Sequence, residues 1–538
     1  MPVEANVAIV GGGLMGGLVA ELLAEHGMSG IVILEAGPPI VMRDTRTWLD
    51  VVMTGMVPYS KLYDDPTDFT ATGAEPWNLV GGRLFGRGGS TVHWGGWAPR
   101  FMPEDFVQFT NTGLGSDWPY GYDDLERYYL RAERYLQVGG EKKAGQRDWR
   151  STDYPMTPPP IPVAASPIID ALDALGISYQ HMPLARNTKE INGQAQCRTI
   201  TTCQYCPIGG RFTGNQPHDR LQESGRAQLV TNAAVTAVTM GSGNLATGIN
   251  YVDRMTGEHR FLPANAVFLC AGALEIPKIL LRSTSVWWPE GLGNAQSLIG
   301  TRLVANPYLF CRGYASENPQ RWQQEVSFPT LCTRDYDTPA DQQLGKFLMN
   351  MSSASPLLKP AKMIYQGSTA EEIAAAVSGQ VNYELQGAMS AIGYPENRVT
   401  LASGVTRFGL PRTAISTPTP IIPANGVARS LARMEAVMAE MGFTVSASGS
   451  YPQRGDHAAG TCAMGNSPET SVVSTSLQMW GVNNVFVASN AILPAIGAAN
   501  VTLTTVAAVM KGVESLLGTS FGIALGKHSD KRPLSARP

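Results

Sequence analysis

The chain is short of charge. Asp, Glu, Lys and Arg make up 16% of its 538 residues and leave a net charge of −3, so it lacks the basic stripe of a general nucleic-acid binder. Long apolar runs are also missing, and none is long enough to cross a bilayer. The first residues carry no basic region and no twin-arginine pair, and a strand pattern begins at Ala5. With no signal of its own, the chain is expected in the cytoplasm. A periplasmic or membrane-associated location requires a signal-bearing partner to carry it out. Seven cysteines, an odd number over so long a chain, do not make a disulfide framework. Histidine is as scarce, at seven, which narrows the candidates for a base working near neutral pH.

Glycine is abundant, with 57 residues, much of it in clusters that suit backbone packed against a ligand. Val7–Val10, the apolar run of the strand that begins at Ala5, reads as a buried parallel strand. It runs into Gly11-Gly12-Gly13-Leu14-Met15-Gly16, then a helical pattern from Leu14 to about Glu25 with Gly27 as its stop, then a second strand, Ile31–Leu34, ending on Glu35. This is a complete dinucleotide unit. Gly11 makes the tight turn, Gly13 admits the pyrophosphate to the helix N-terminus, and Gly16 lets helix and strand pack. Glu35 is placed for the ribose hydroxyls. A glycine-rich turn without ligand is the competing reading, and the unit does not choose between FAD and NAD.

Further on, Gly81–Thr91 is too rich in glycine for a regular element. Ala266–Cys270 reads as a strand leading through Ala271-Gly272-Ala273 into a helix. Val485–Ala488 reads as another strand, followed by the small-residue loop Ser489–Ala499 and a helix from Val501 to about Leu517. Together with His457-Ala458-Ala459-Gly460-Thr461 and Asn500-Val501-Thr502-Leu503-Thr504, these segments resemble the glucose–methanol–choline (GMC) oxidoreductase family. Ser116–Pro119, Tyr122–Leu125 and Cys197–Pro207 are similar to segments of its bacterial sugar dehydrogenases, whose catalytic subunit carries an iron–sulfur cluster. The resemblance implies FAD and an α/β fold. A Rossmann-like FAD domain is expected from 1–100, 195–305 and 452–538. A substrate domain, a sheet with flanking helices, is expected from 101–194 and 306–451. Cofactor contacts are expected from Gly11, Gly13, Gly16, Glu35, Gly88, Gly89, Ser90, His93, Ala271, Gly272, Asn490 and Val501.

The resemblance places the base at His457 and its partner at Asn500. The competing readings are a loop histidine satisfied by backbone and an N-cap asparagine. His93 lies in Thr91-Val92-His93-Trp94. Related sugar oxidoreductases bond a histidine covalently to the flavin in a similar Thr–His–Trp setting, but here Val92 intervenes. A covalent bond and simple packing beside the flavin both stay open.

Cys197, Cys203 and Cys206-Pro207 put three thiols on one loop. Thiolates bind soft metals, and three of them suit a [3Fe-4S] cluster. Zinc is an alternative but wants four ligands, and His218 is the only histidine nearby. Free thiols are the other. A cluster favours a dehydrogenase that feeds a small subunit and a cytochrome or other electron-transfer subunit. The expected reaction is oxidation of a pyranose or glycoside at carbon 1 or carbon 3. The alternatives are a pyranose-oxidase-like enzyme using oxygen and a flavin-binding protein without catalysis.

Overall fold

The computed structural model describes residues 4–74, 77–143, 146–162, 165–198, 202–315, 330–353, 358–378 and 381–519. Parts of the expected domain ranges, and Thr199–Thr201 in the cysteine segment, lie outside the described residues. Three sheets organise the rest. The largest has seven strands. Ala5–Val10 sits inside it, parallel to Ile31–Leu34 on one side and to the end of His259–Leu269 on the other. Ala227–Val230 extends one side in parallel, and Val485–Val487 pairs in parallel with residues 267–269. The near-continuous apolar runs of these strands follow from burial on both faces. Helix Val501–Leu517 is buried along most of its length, and Phe268 stacks on Phe486 at 4.7 Å between ring centroids.

Strand His259–Leu269 serves two assemblies. Its first half pairs antiparallel with Ala246–Asp253, which pairs in turn with Ala233–Met240. Its second half joins the parallel strands. The expected helices are found at Leu14–Glu25 and Val501–Leu517, and the helix after Ala271 spans Gly272–Arg282. The stretch 81–91 is irregular as far as Gly88. Gly89–Val92 then forms a single 3-10 turn, which the glycine content had argued against.

A second sheet of six strands carries the order 444–450, 308–315, 381–389, 347–353, 331–336, 180–181, all antiparallel. Helix Ala424–Glu440 packs on it. A third sheet joins Arg398–Val405 to Pro411–Thr417, and Pro411–Thr417 pairs in parallel with Phe69–Gly73. That last pair ties a strand from the expected FAD domain to one from the expected substrate domain.

The edge of the six-stranded sheet is fastened by buried charges. Lys346 is fully buried and its ammonium meets Asp105 at 2.5 Å, Asp337 at 2.9 Å and Glu104 at 3.3 Å. Arg334 bridges Asp337 and Asp148. Buried charges hold only while their partners remain. Lys346→Met is therefore expected to destabilise the fold by about 3–5 kcal/mol. Denaturant unfolding followed by tryptophan fluorescence reads this, and an unchanged midpoint would show that the carboxylates find other partners.

Candidate active site

The C-terminal ends of strands Ala5–Val10, Ile31–Leu34 and His259–Leu269 open on one cleft of about 240 Å³, lined by Gly11, Gly13, Glu35, Gly89, Ser90, Ala271, Gly272, Asn490 and Val501, among others. Crevices at the carboxyl ends of parallel strands are where open α/β sheets bind ligands. Helix Leu14–Glu25 starts here with Gly13 as N-cap and no side-chain cap, so its first N–H groups remain for an anion. Gly11 has φ +109°, and a Cβ there would come within 3.0 Å of Cys270 and Ala271 backbone. Gly16 and Gly88 shape the cleft from behind. A Cβ on Gly16 would meet the Gly11 oxygen at 2.0 Å, and the Gly88 N–H donates to the Gly12 oxygen at 2.8 Å. Glu35 accepts from the Gly12 and Gly37 N–H groups, both at 2.8 Å. Burial raises its carboxyl above the usual carboxylate range.

A second cavity of about 640 Å³ adjoins the first and shares Ser90, Thr91, Gly455, Asp456 and Thr502 with it. His457, Asn500 and His93 face this one. Asn500 is the N-cap of helix Val501–Leu517, but its side chain makes no capping bond. Its Nδ2 reaches the Tyr308 hydroxyl at 3.0 Å and His457 Nε2 at 3.2 Å. With the amide nitrogen facing it, Nε2 is the acceptor in the neutral tautomer that carries its proton on Nδ1. Burial, reinforced by Arg454, lowers His457 to about 4. Tyr308 lies at the start of strand Tyr308–Ala315, and burial holds its hydroxyl protonated well above the usual phenol range. Sequence reasoning missed Tyr308 because nothing local links it to residues 457 and 500.

Asp456 stands on the wall between the two cavities, where burial raises it to about 6 against the opposing Arg454. His93 stacks on Tyr63 at 5.2 Å and its Nδ1 pairs with the Tyr63 hydroxyl at 2.8 Å. Burial lowers it to about 3. The remaining wall includes Gln386, Tyr451, Gln453, Trp94, Trp97 and Gln204.

Gln204 belongs to the cysteine loop. Asn187 draws this loop together, its N–H donating to the Gly210 oxygen at 2.9 Å and its own oxygen accepting from Cys197 N–H at 2.8 Å. Gly210 N–H donates to Cys206 Sγ at 3.3 Å, and Arg186 Nη1 donates to Cys203 Sγ at 2.8 Å. All three sulfurs lie within electrostatic reach of Arg186. Among the described residues, no three His, Cys, Asp or Glu side chains are close enough to hold a single metal ion. His218 takes no part in the loop and packs with its Nε2 on the Gly12 oxygen at 2.7 Å. No helix of the described residues is long and apolar enough to cross a membrane.

A family model described as GMC oxidoreductase matches residues 10–308, and a second with the same description matches 394–508. The chain is 26% identical to the fructose dehydrogenase large subunit of Gluconobacter japonicus, covering 96% of this chain and 98% of that one. It is 26% identical to 2-methyl-1,2-propanediol dehydrogenase of Mycolicibacterium austroafricanum, covering 93% of each. Identity to paromamine 6'-oxidase of Streptomyces fradiae is 27%, over 95% of this chain and 91% of that protein. Its fold is similar to that of pyridoxine 4-oxidase from Mesorbium loti, with TM-score 0.61 and 17% identity over 95% of this chain and 99% of the other.

Three histidines, His218 buried and His93 and His457 half-buried, are lowered to about 4, 3 and 4 by desolvation. All three are expected to stay neutral a full unit below the ordinary histidine value of about 6.5. Histidine-selective NMR against pH checks this, with His457→Ala identifying its signal. A His457 resonance that titrates near the ordinary value would contradict the neutral-base geometry.

Proposed function

The chain belongs to the GMC oxidoreductase family, and from that premise we propose that it oxidises a hydroxyl of a pyranose sugar or glycoside, at carbon 1 or carbon 3, and delivers the electrons to a partner subunit. As a GMC oxidoreductase it is an FAD enzyme acting on CH–OH groups. The observation that carries the reading is the group His457, Asn500 and Tyr308, facing a cavity that adjoins the dinucleotide cleft.

The cleft fits the cofactor: an uncapped helix N-terminus, glycines where a Cβ would collide, and an acid at the strand end. Bound FAD supplies the hydride acceptor. The chain supplies the rest. His457 Nε2, on a half-buried neutral ring, takes the hydroxyl proton. Asn500 and the protonated Tyr308 hydroxyl fix the oxygen so that its hydrogen points at the imidazole. The amides of Gln386 and Gln453, with Tyr451, Trp94 and Trp97, offer the hydrogen-bonding and flat apolar surface that a sugar ring needs. Similarity to a fructose dehydrogenase large subunit supports both the sugar and the partner subunit. His93 keeps Nε2 available while Tyr63 occupies Nδ1, and a covalent flavin bond through Nε2 is part of this proposal.

Cys197, Cys203 and Cys206 would hold a [3Fe-4S] cluster, which when bound supplies a one-electron exit toward a cytochrome or similar subunit. As the side chains stand, the thiols do not converge on one metal position and Arg186 donates to Cys203 Sγ, so the cluster reading draws on the three-cysteine sequence pattern and not on the site's geometry. A second reading, electron delivery to oxygen, draws on the similarity to paromamine 6'-oxidase. A signal-bearing small subunit carrying the chain to the periplasm or membrane is the location this proposal implies.

Purified protein, supplied with a panel of sugars and an artificial acceptor, is expected to bleach its flavin absorbance with at least one sugar, and product analysis then identifies the carbon. No bleaching with any sugar would overturn the substrate class. His457→Ala should slow that bleaching by about 10²–10⁴-fold with FAD retained. Tyr308→Phe should slow it by about tenfold or less, the worth of one hydrogen bond. For the exit route, Cys203→Ser should lose iron and cytochrome reduction while sugar still bleaches the flavin. Iron-free unmutated protein that makes peroxide would favour the oxidase reading.

A further inference from the structure

Helix Asn215–Glu223 packs against helix Leu14–Glu25, and one of its side chains is inserted behind the glycine loop. That side chain is His218, which is 2% exposed. Its Nε2 lies 2.7 Å from the Gly12 oxygen and 3.3 Å from the Gly13 oxygen. Both are carbonyls and only accept, so Nε2 carries the proton and donates. Nδ1 is buried and makes no hydrogen bond among the described residues. The ring comes this close because Gly17 has no side chain. A Cβ there would stand 2.8 Å from the Pro217 ring and 3.4 Å from His218 Nε2.

The Gly12 oxygen has a second donor, the Gly88 N–H at 2.8 Å. Gripped by two donors from two separate segments, this carbonyl is fixed in direction. No peptide bond of the described residues is cis, and a trans peptide sets its N–H opposite its C=O. Holding the Gly12 oxygen toward helix Asn215–Glu223 therefore turns the Gly13 N–H away from that helix. Gly13 lines the dinucleotide cleft, whereas His218 stands behind it. We infer that His218 is a positioning residue for FAD: its Nε2–H holds the Gly12 carbonyl so that the Gly13 N–H and the start of helix Leu14–Glu25 are presented to the pyrophosphate. The inference goes beyond the proposed sugar oxidation and uses none of its steps. A donor that is already aimed strengthens binding, because the backbone has no rearrangement left to make. The effect belongs to the phosphates. Glu35, placed for the ribose, is held by the Gly12 and Gly37 N–H groups, which belong to other peptides.

The test compares His218→Gln, His218→Asn and His218→Phe with unchanged His218, all in the full chain carrying His93→Ala, so that FAD is held by non-covalent contacts alone. His218→Gln keeps an N–H at about the reach of Nε2, His218→Asn moves it to about the reach of Nδ1, and His218→Phe keeps a ring without a donor. Equilibrium binding of FAD, ADP and adenosine to the flavin-free chains is then measured. FAD and ADP are expected to bind about tenfold more weakly to His218→Asn and His218→Phe, the worth of one hydrogen bond, and His218→Gln to stay within about twofold of the parent. Adenosine, which has no phosphate, is expected to bind all four chains equally. Equal losses in His218→Gln and His218→Phe would overturn the donor role. Equal losses for ADP and adenosine would show a cleft deformed as a whole and overturn the positioning role, as would unchanged affinities throughout. If His218→Phe does not fold, His218→Asn against His218→Gln decides by the same criteria. Unmutated protein that carries no flavin would overturn the cofactor reading instead, and its absorbance spectrum shows this before any variant is made.

Discussion

The closest approach in the dinucleotide unit is between Gly16 and the Gly11 oxygen, where a single methyl group would stand 2.0 Å from that oxygen. Much of the site depends on that contact. It lets helix Leu14–Glu25 rise directly from the end of strand Ala5–Val10, which brings the helix N-terminus to the mouth of the cleft. The second glycine stretch then lies against the first, backbone to backbone, since a Cβ on Gly89 would be 3.0 Å from the Gly13 Cα. Because Gly88–Val92 is fixed in this way, His93 and Trp94 are delivered to the second cavity. The two cavities therefore adjoin because side chains are missing at a few positions, and the catalytic geometry is built on their absence.

Much of this was legible in the sequence. Parallel strands buried on both faces write themselves as unbroken apolar runs, so 5–10, 31–34 and 485–487 stood out, and helix Leu14–Glu25 carried its own stop at Gly27. The six-stranded sheet was harder. Its edge strand Thr444–Ser450 is mostly exposed, and Ser and Thr alternate there with only Val, Ala and Gly, too small an apolar face to mark it. Gly89–Val92 turns helically despite its glycines, because the Thr91 hydroxyl donates to the Gly88 oxygen at 2.6 Å and closes the turn.

The site residues divide along the same line. His457 and Asn500 sit in motifs that can be read locally. Tyr308 and Arg186 reach the same region from segments distant in sequence whose immediate neighbours do not announce it, while Gln204 arrives on the cysteine loop that the sequence marked for another reason. For Asn500 the sequence left two roles open, helix cap or active-site group. The fold gives the side chain to Tyr308 and His457 and leaves the capping to the backbone.

The parallel pairing of Phe69–Gly73 with Pro411–Thr417 has a bearing on how substrate gets in. A strand borrowed from the cofactor side and hydrogen-bonded into the other side acts as a strap. The halves cannot swing apart like a jaw without breaking the row of backbone hydrogen bonds that pairs these strands. Arg454, half exposed and paired to Asp456 at 3.2 Å, lines the cavity on the side of this strap.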